Sequence, residues 1–295
     1  MRIDAHHHLW DLSKVHYPWL TARGQTRFFG DPAPIQRNYL LQEFTADAKA
    51  NGFHGSVHVQ VGAEDSLAEA QWVQSVADAN SHWPLVQVAY CDLSAPDLSA
   101  QLDALQCLPS IRGVRQIVGR APGEDALTGT NTLLDDPAFA KGLASLAERD
   151  LCFDLQLLPE LMAKTAEVLK QAPNTKIALC HAGSPYDRSP EGLTRWQRSL
   201  AALSEQAQVT CKLSGLGMFE HNWTSQSFAP IIECVFNQFG PDRVMFGSNF
   251  PVDSLTSTYK DLLETYVEHV PQSAREAFFG GVADRFYRVT SAYVS

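Results

Sequence analysis

No stretch of the 295 residues approaches the roughly 18 consecutive apolar residues that a membrane-spanning helix needs. Met1-Arg2 leads directly into a strand pattern, with no signal-peptide core between. The six cysteines (Cys91, Cys107, Cys152, Cys180, Cys211 and Cys234) include no C-x-x-C pair. Several sit in apolar runs, the pattern of reduced, buried thiols in a reducing compartment. Glycine loops that cradle phosphate are missing: neither G-x-G-x-x-G after a strand nor G-x-x-x-x-G-K-[ST] occurs, which removes dinucleotide and P-loop chemistry. G-x-S-x-G and H-E-x-x-H are absent too. The net charge of −10 comes with no clustered Lys/Arg stripe, so the chain lacks the footprint of a nucleic-acid binder. These absences point to a cytoplasmic protein acting on a small molecule, with no membrane or nucleic-acid partner; oligomerisation stays open.

What is present begins with Ile3-Asp4-Ala5-His6-His7-His8-Leu9-Trp10-Asp11. On a strand successive side chains point to opposite faces, so alternation puts Asp4, His6 and His8 on one face and Ile3, Ala5 and His7 on the other. Two imidazoles two residues apart can converge on one metal ion or one polarised oxygen. A tag remnant or a pair of core histidines are the competing readings.

Hydrophobic residues at 45% and charged residues at 19% are ordinary globular values, and length does not demand a second domain. We expect a single domain over 1–295. Strand and helix patterns then alternate. Strands are expected at 56–61, 84–91, 111–118, 151–157, 176–181, 209–214 and 243–249, each followed by a helical pattern, with long loops after the first, fourth and sixth strands. With the first strand this makes eight strand-helix units without hairpin signals, so the expected class is α/β, a (β/α)8 TIM-like barrel.

Many strands carry a polar second face. Ser56, His58 and Gln60 oppose Val57, Val59 and Val61; Asp154 and Gln156 oppose Leu151, Phe153 and Leu155; Thr210, Lys212 and Ser214 oppose Val209, Cys211 and Leu213. The expectation is that these polar faces, with Asp4, His6 and His8, line the interior, because buried ionisable groups persist where they pair or ligate. Arg115 and His181 stand at C-terminal strand ends, the rim where barrel active sites lie.

Five motifs occur in order: I-D-A-H-H-H-L-W-D, G-V-R (113–115), H-A-G (181–183), C-K-L-S-G-L (211–216) and M-F-G-S-N-F-P-V-D (245–253). With them the chain resembles the amidohydrolase-related (amidohydrolase 2) family, in the branch of the sugar lactonases and 2-pyrone-4,6-dicarboxylate lactonases. The resemblance covers nearly the whole chain. It implies an amidohydrolase-type barrel that hydrolyses the ester bond of a lactone, with one divalent ion, zinc or manganese, in some members and none in others. By position it implies His6, His8 and His181 as metal ligands and Arg115 as substrate-binding. Two departures stand out. Asn249 occupies the acid position of the last strand, and an amide accepts no proton at neutral pH. Gln116 stands where the sugar lactonases carry histidine.

The expected reaction is hydrolysis of a small cyclic ester by water attack on a polarised carbonyl. His181, Asn249, Asp253 and Lys212 are the catalytic candidates, Asp253 as the substitute base. Arg115, Gln116, Gln60, Gln156 and Tyr186 are the substrate-binding candidates. Metal-dependent nonoxidative decarboxylation on the same scaffold and noncatalytic binding of a small molecule are the alternatives.

Overall fold

The computed structural model describes residues 1–123 and 130–293, so the middle of the loop expected after the fourth strand lies outside the described residues. Eight parallel strands run in sequence order: β1 (Arg2–His7), β2 (Phe53–Val59), β3 (Leu85–Tyr90), β4 (Ile111–Arg115), β5 (Cys152–Leu155), β6 (Ile177–Leu179), β7 (Val209–Leu213) and β8 (Val244–Phe246). Between them and after the last come α1 (Leu41–Ala50), α2 (Ser66–Ala79), α3 (Leu98–Gln106), α4 (Pro137–Glu148), α5 (Met162–Leu169), α6 (Pro190–Ser204), α7 (Ser225–Phe239) and α8 (Tyr259–His269). This is a (β/α)8 barrel. Beyond β8 the ring closes through Asn249 N donating to His6 O (2.7 Å), His8 N to Phe250 O (2.8 Å) and Ser248 N to Asp4 Oδ1 (2.9 Å). Among the described residues no helix is long and apolar enough to cross a membrane.

Local signals set where the helices begin. Asp65 accepts from Ala68 N before α2, Asp136 from Ala138 N with Pro137 behind it, and Ser189 from Gly192 N with Pro190 behind it. Each such cap satisfies an otherwise orphaned N–H and contributes about 1 kcal/mol.

The core has two shells. Between strands and helices lie Phe153, Leu179, Cys211, Leu213 and Phe246 with their helical partners. Inside the barrel Ile3, Ala5, Val57, Val59, Val86 and Val88 pack against Val282 and Phe286 of a terminal helix, α9 (Val282–Tyr287), which seals the end opposite the strand C-termini.

This inner shell corrects the expected facing of the first two strands. Val57 and Val59 enter the barrel, whereas Ser56 accepts from Trp83 Nε1 (2.9 Å) and His58 stands 3.8 Å from Glu69 of α2. Ile3 and Ala5 also point inward, and Asp4 faces α8 through Tyr259. The β1–β2 register shifts between Asp4 and His7. Such an irregularity breaks the two-residue period, so His6 and His8 join Ile3 and Ala5 inside while His7 stacks on Phe44 of α1 at 3.8 Å. Alternation alone could not say which face was inner, because helix-borne polar groups satisfy the other one.

Candidate active site

A cavity of about 580 Å³ opens at the C-terminal mouth of the barrel. Its floor holds His8, Gln60, Arg115, Gln156, His181 and Asn249. All six stand at or just past a strand end: β1 stops at His7, β2 at Val59, β4 at Arg115, β5 at Leu155, β6 at Leu179 and β8 at Phe246. Strand ends are where rigid backbone gives way to loops that can re-aim side chains.

His181 shows how. After Leu179 the chain makes a 3₁₀ turn in which His181, Ala182, Gly183 and Ser184 all have positive φ (55°, 51°, 68° and 54°). An L-residue there costs roughly 1–2 kcal/mol, and the result is that His181 leaves the helix-facing side it would share with Ile177 and Leu179. Its ring lies 4.7 Å from that of His6, and Nδ1 bonds Ser214 Oγ at 3.0 Å. His6 in turn lies 5.1 Å from His8, ring to ring. The three imidazoles therefore gather at the mouth, His6 beneath the other two.

The partners fix protonation. His8 Nδ1 meets Val59 O at 2.7 Å, and a carbonyl only accepts, so Nδ1 carries the hydrogen and Nε2 a lone pair. Nε2 faces Asn249 Oδ1 at 3.3 Å, while Asn249 Nδ2 donates to Asp253 Oδ1 at 2.8 Å. Two acceptors thus converge on one point of the cavity. Burial pushes His6 and His8 well below the ordinary imidazole range and His181 down to about 3; the Arg115 cation pushes all three the same way, and Lys212 adds to it at His6 and His181. Burial also raises the Asp253 carboxyl to about 7. Asp253 does not reach the cavity: it lies behind Asn249, and its Oδ2 is buried without a hydrogen-bond partner.

Arg115 is 4% exposed and lies in the floor, its Nη1 donating to Gln156 Oε1 (3.1 Å) and its Nη2 to Gln60 O. The amides expected to bind substrate are largely engaged within the protein. Gln60 Oε1 accepts from Gly62 N, and Gln116 bridges Leu93 N and Asp92. Tyr186 stands outside the main cavity, in a smaller depression beside Phe219 and His221, with its hydroxyl donating to Glu160.

Lys212, expected among the catalytic residues, is inside the barrel but does not line the cavity. It is fully buried, and its Nζ donates to Asp154 Oδ2 (2.6 Å) and Ala5 O (2.8 Å). Asp154 Oδ1 accepts from Tyr287 of α9 (2.6 Å). Arg27, Phe28 and Phe29, none of them singled out from the sequence, form cavity walls. Their only signal was the long irregular segment after β1.

Among the described residues, the three side chains whose ligating atoms lie within 4.8 Å of one another are His6, Asp154 and Cys180; His8 and His181 are outside that group. It does not suit a divalent cation. Both Asp154 oxygens are engaged, one by the Lys212 ammonium and the other by the Tyr287 hydroxyl, and that fixed ammonium repels a second cation at contact distance.

Over 293 residues, covering 97% of this chain and 98% of the other, the sequence is 36% identical to the y4mH protein of Sinorhizobium fredii. It is 28% identical to an L-fucono-1,5-lactonase of Burkholderia multivorans, covering 97% and 96%. A crystal structure of an amidohydrolase from Burkholderia multivorans with bound zinc superposes with a TM-score of 0.81 at 25% identity, covering 98% and 99%. The amidohydrolase family model matches residues 3–289. With that match over the whole barrel and the strand ends around the cavity, the chain belongs to the amidohydrolase family and is a hydrolase.

Proposed function

We propose that the protein hydrolyses a small lactone by direct attack of water, with no step through a metal ion. The observation that carries this reading is the pair of acceptors, His8 Nε2 and Asn249 Oδ1, facing each other beside an Arg115 guanidinium. Similarity to an L-fucono-1,5-lactonase supports the lactone as substrate class. A water set to one side of the two acceptors, bridging both, gives one hydrogen bond to each and turns its lone pair to the lactone carbonyl, whose developing oxyanion Arg115 and His181 stabilise. As the new C–O bond forms, the water's proton passes to His8 Nε2. The imidazolium then donates to Asn249 Oδ1, with the Asp253 carboxylate behind the amide. Collapse breaks the ring C–O bond, and His8 returns the proton to the leaving alkoxide, giving the hydroxy acid. Asn249 in place of an acid thus suits a histidine base, with Asp253 as a positioning residue.

The test is a panel of neutral and carboxylated five- and six-membered lactones, followed by proton release. Hydrolysis that survives exhaustive chelation is the expected outcome. His8→Asn should lower kcat by about 10²- to 10⁴-fold and Arg115→Ala should lower kcat/KM by about 10²- to 10³-fold. Absence of turnover on the whole panel, or full loss of activity on chelation with recovery on adding zinc, overturns the proposal.

A further inference from the structure

Two charges near the cavity are buried without an opposite charge in direct contact. Arg115, 4% exposed, has no carboxylate within ion-pair distance among the described residues; its guanidinium donates to Gln156 and to the backbone carbonyl of Gln60. Glu69, in the first turn of α2 and 2% exposed, accepts from Val61 N at 3.0 Å, and its other polar neighbour is the uncharged hydroxyl of Tyr17. The nearest side chain of basic type is His58, whose Nε2 is 3.8 Å from Glu69 Oε1. His58 Nδ1 accepts from Leu9 N (3.1 Å), which leaves its single proton on Nε2 and the ring neutral. An uncompensated buried charge is costly, so both groups need an account.

The two share one peptide unit. Gln60 C=O and Val61 N–H belong to the same planar group and point in opposite directions. The carbonyl end receives Arg115 and the N–H end meets Glu69. We propose that Glu69 is the counter-ion and positioning residue of Arg115, acting through the Gln60–Val61 peptide. The peptide dipole lies with its negative end on the guanidinium and its positive end on the carboxylate, so each charge strengthens the other's hydrogen bond. This places a counter-charge for the cavity's cation on the far side of the backbone, where it cannot repel an oxyanion at contact distance. It also holds the β2 strand end, whose Val59 carbonyl orients His8. The inference concerns charge pairing and stands whether or not the substrate is a lactone.

A double-mutant cycle in chemical denaturation tests it, with Glu69→Gln, Arg115→Met and the double variant. Glutamine keeps an acceptor for Val61 N–H and removes only the charge, so a purely structural role for Glu69 predicts little effect in either background. The expected result is coupling: each single variant unfolds more readily, and the double variant recovers at least about tenfold in the unfolding equilibrium constant relative to additivity. Additivity within about twofold overturns the proposal. If the single variants do not fold, a folded double variant supports it, and a double variant that does not fold overturns it.

Discussion

Asn249 sits in a left-handed backbone conformation (φ 58°), which asparagine tolerates better than most residues, and its amide is held between an imidazole and a carboxyl. That carboxyl, Asp253, titrates at about 7 because burial disfavours its charge. Above that pH it accepts from Asn249 Nδ2, which leaves Oδ1 facing His8. When protonated it donates to the amide oxygen, turning Nδ2 toward His8 Nε2 and occupying the base. We therefore expect kcat/KM to rise with pH through about 7 and the Asp253→Asn enzyme to lose that limb; a limb that survives the substitution belongs to another group. The same shift has a stability consequence of fixed sign. A folded value above the unfolded value of about 3.9 stabilises the protein at low pH, and the benefit is lost as pH rises from about 4 to 7. The size is on the order of 4 kcal/mol, read as the pH-dependent difference in unfolding free energy between wild type and Asp253→Asn.

At the level of elements, the site depends on two places where regular strand geometry fails. The β1 register shift turns His6 and His8 inward together, and the left-handed run after β6 turns His181 in. Gly183 is the one glycine of that run, at φ 68°, and a Cβ there would lie 2.1 Å from Met162 Cε. Gly183→Ala should cost about 1–2 kcal/mol for backbone conformation, with a further penalty for moving Met162. Thermal denaturation should show a drop of several degrees, and activity per folded molecule should fall because His181 is displaced. A variant of unchanged stability and activity would mean that this turn does not hold the histidine.

On the scale of the whole molecule, the barrel is closed at one end by α9 and charged in its middle by Lys212, Asp154 and Tyr287. Tyr287 joins the last helix to the seventh strand through Asp154, so the plug and the floor of the site are one network. Lys212→Met leaves a buried carboxylate with its cation removed and should cost about 3–5 kcal/mol. Tyr287→Phe removes only one charge-assisted hydrogen bond and should cost about 1.5–3 kcal/mol. Denaturant midpoints at constant slope measure both; a Lys212→Met cost no larger than that of Tyr287→Phe would contradict the ion-pair account.

The sequence by itself determined the barrel, because eight apolar strand runs separated by capped helical patterns have few other ways to bury both faces of a parallel sheet. It also marked the strand ends that bear polar residues where apolar ones would pack: His6, His8, Arg115, His181 and Asn249. Tertiary structure alone decided which face of β1 and β2 is inside, since a polar face is equally well satisfied by a helix-borne partner such as Glu69 or Tyr259. It alone decided that Lys212 is bound to Asp154 beneath the cavity, Asp253 stands behind Asn249, and Tyr186 lies outside the main cavity. Periodicity reports how side chains alternate along one strand, whereas burial, charge pairing and ligand access depend on neighbours tens or hundreds of residues away, which only the closed fold brings together.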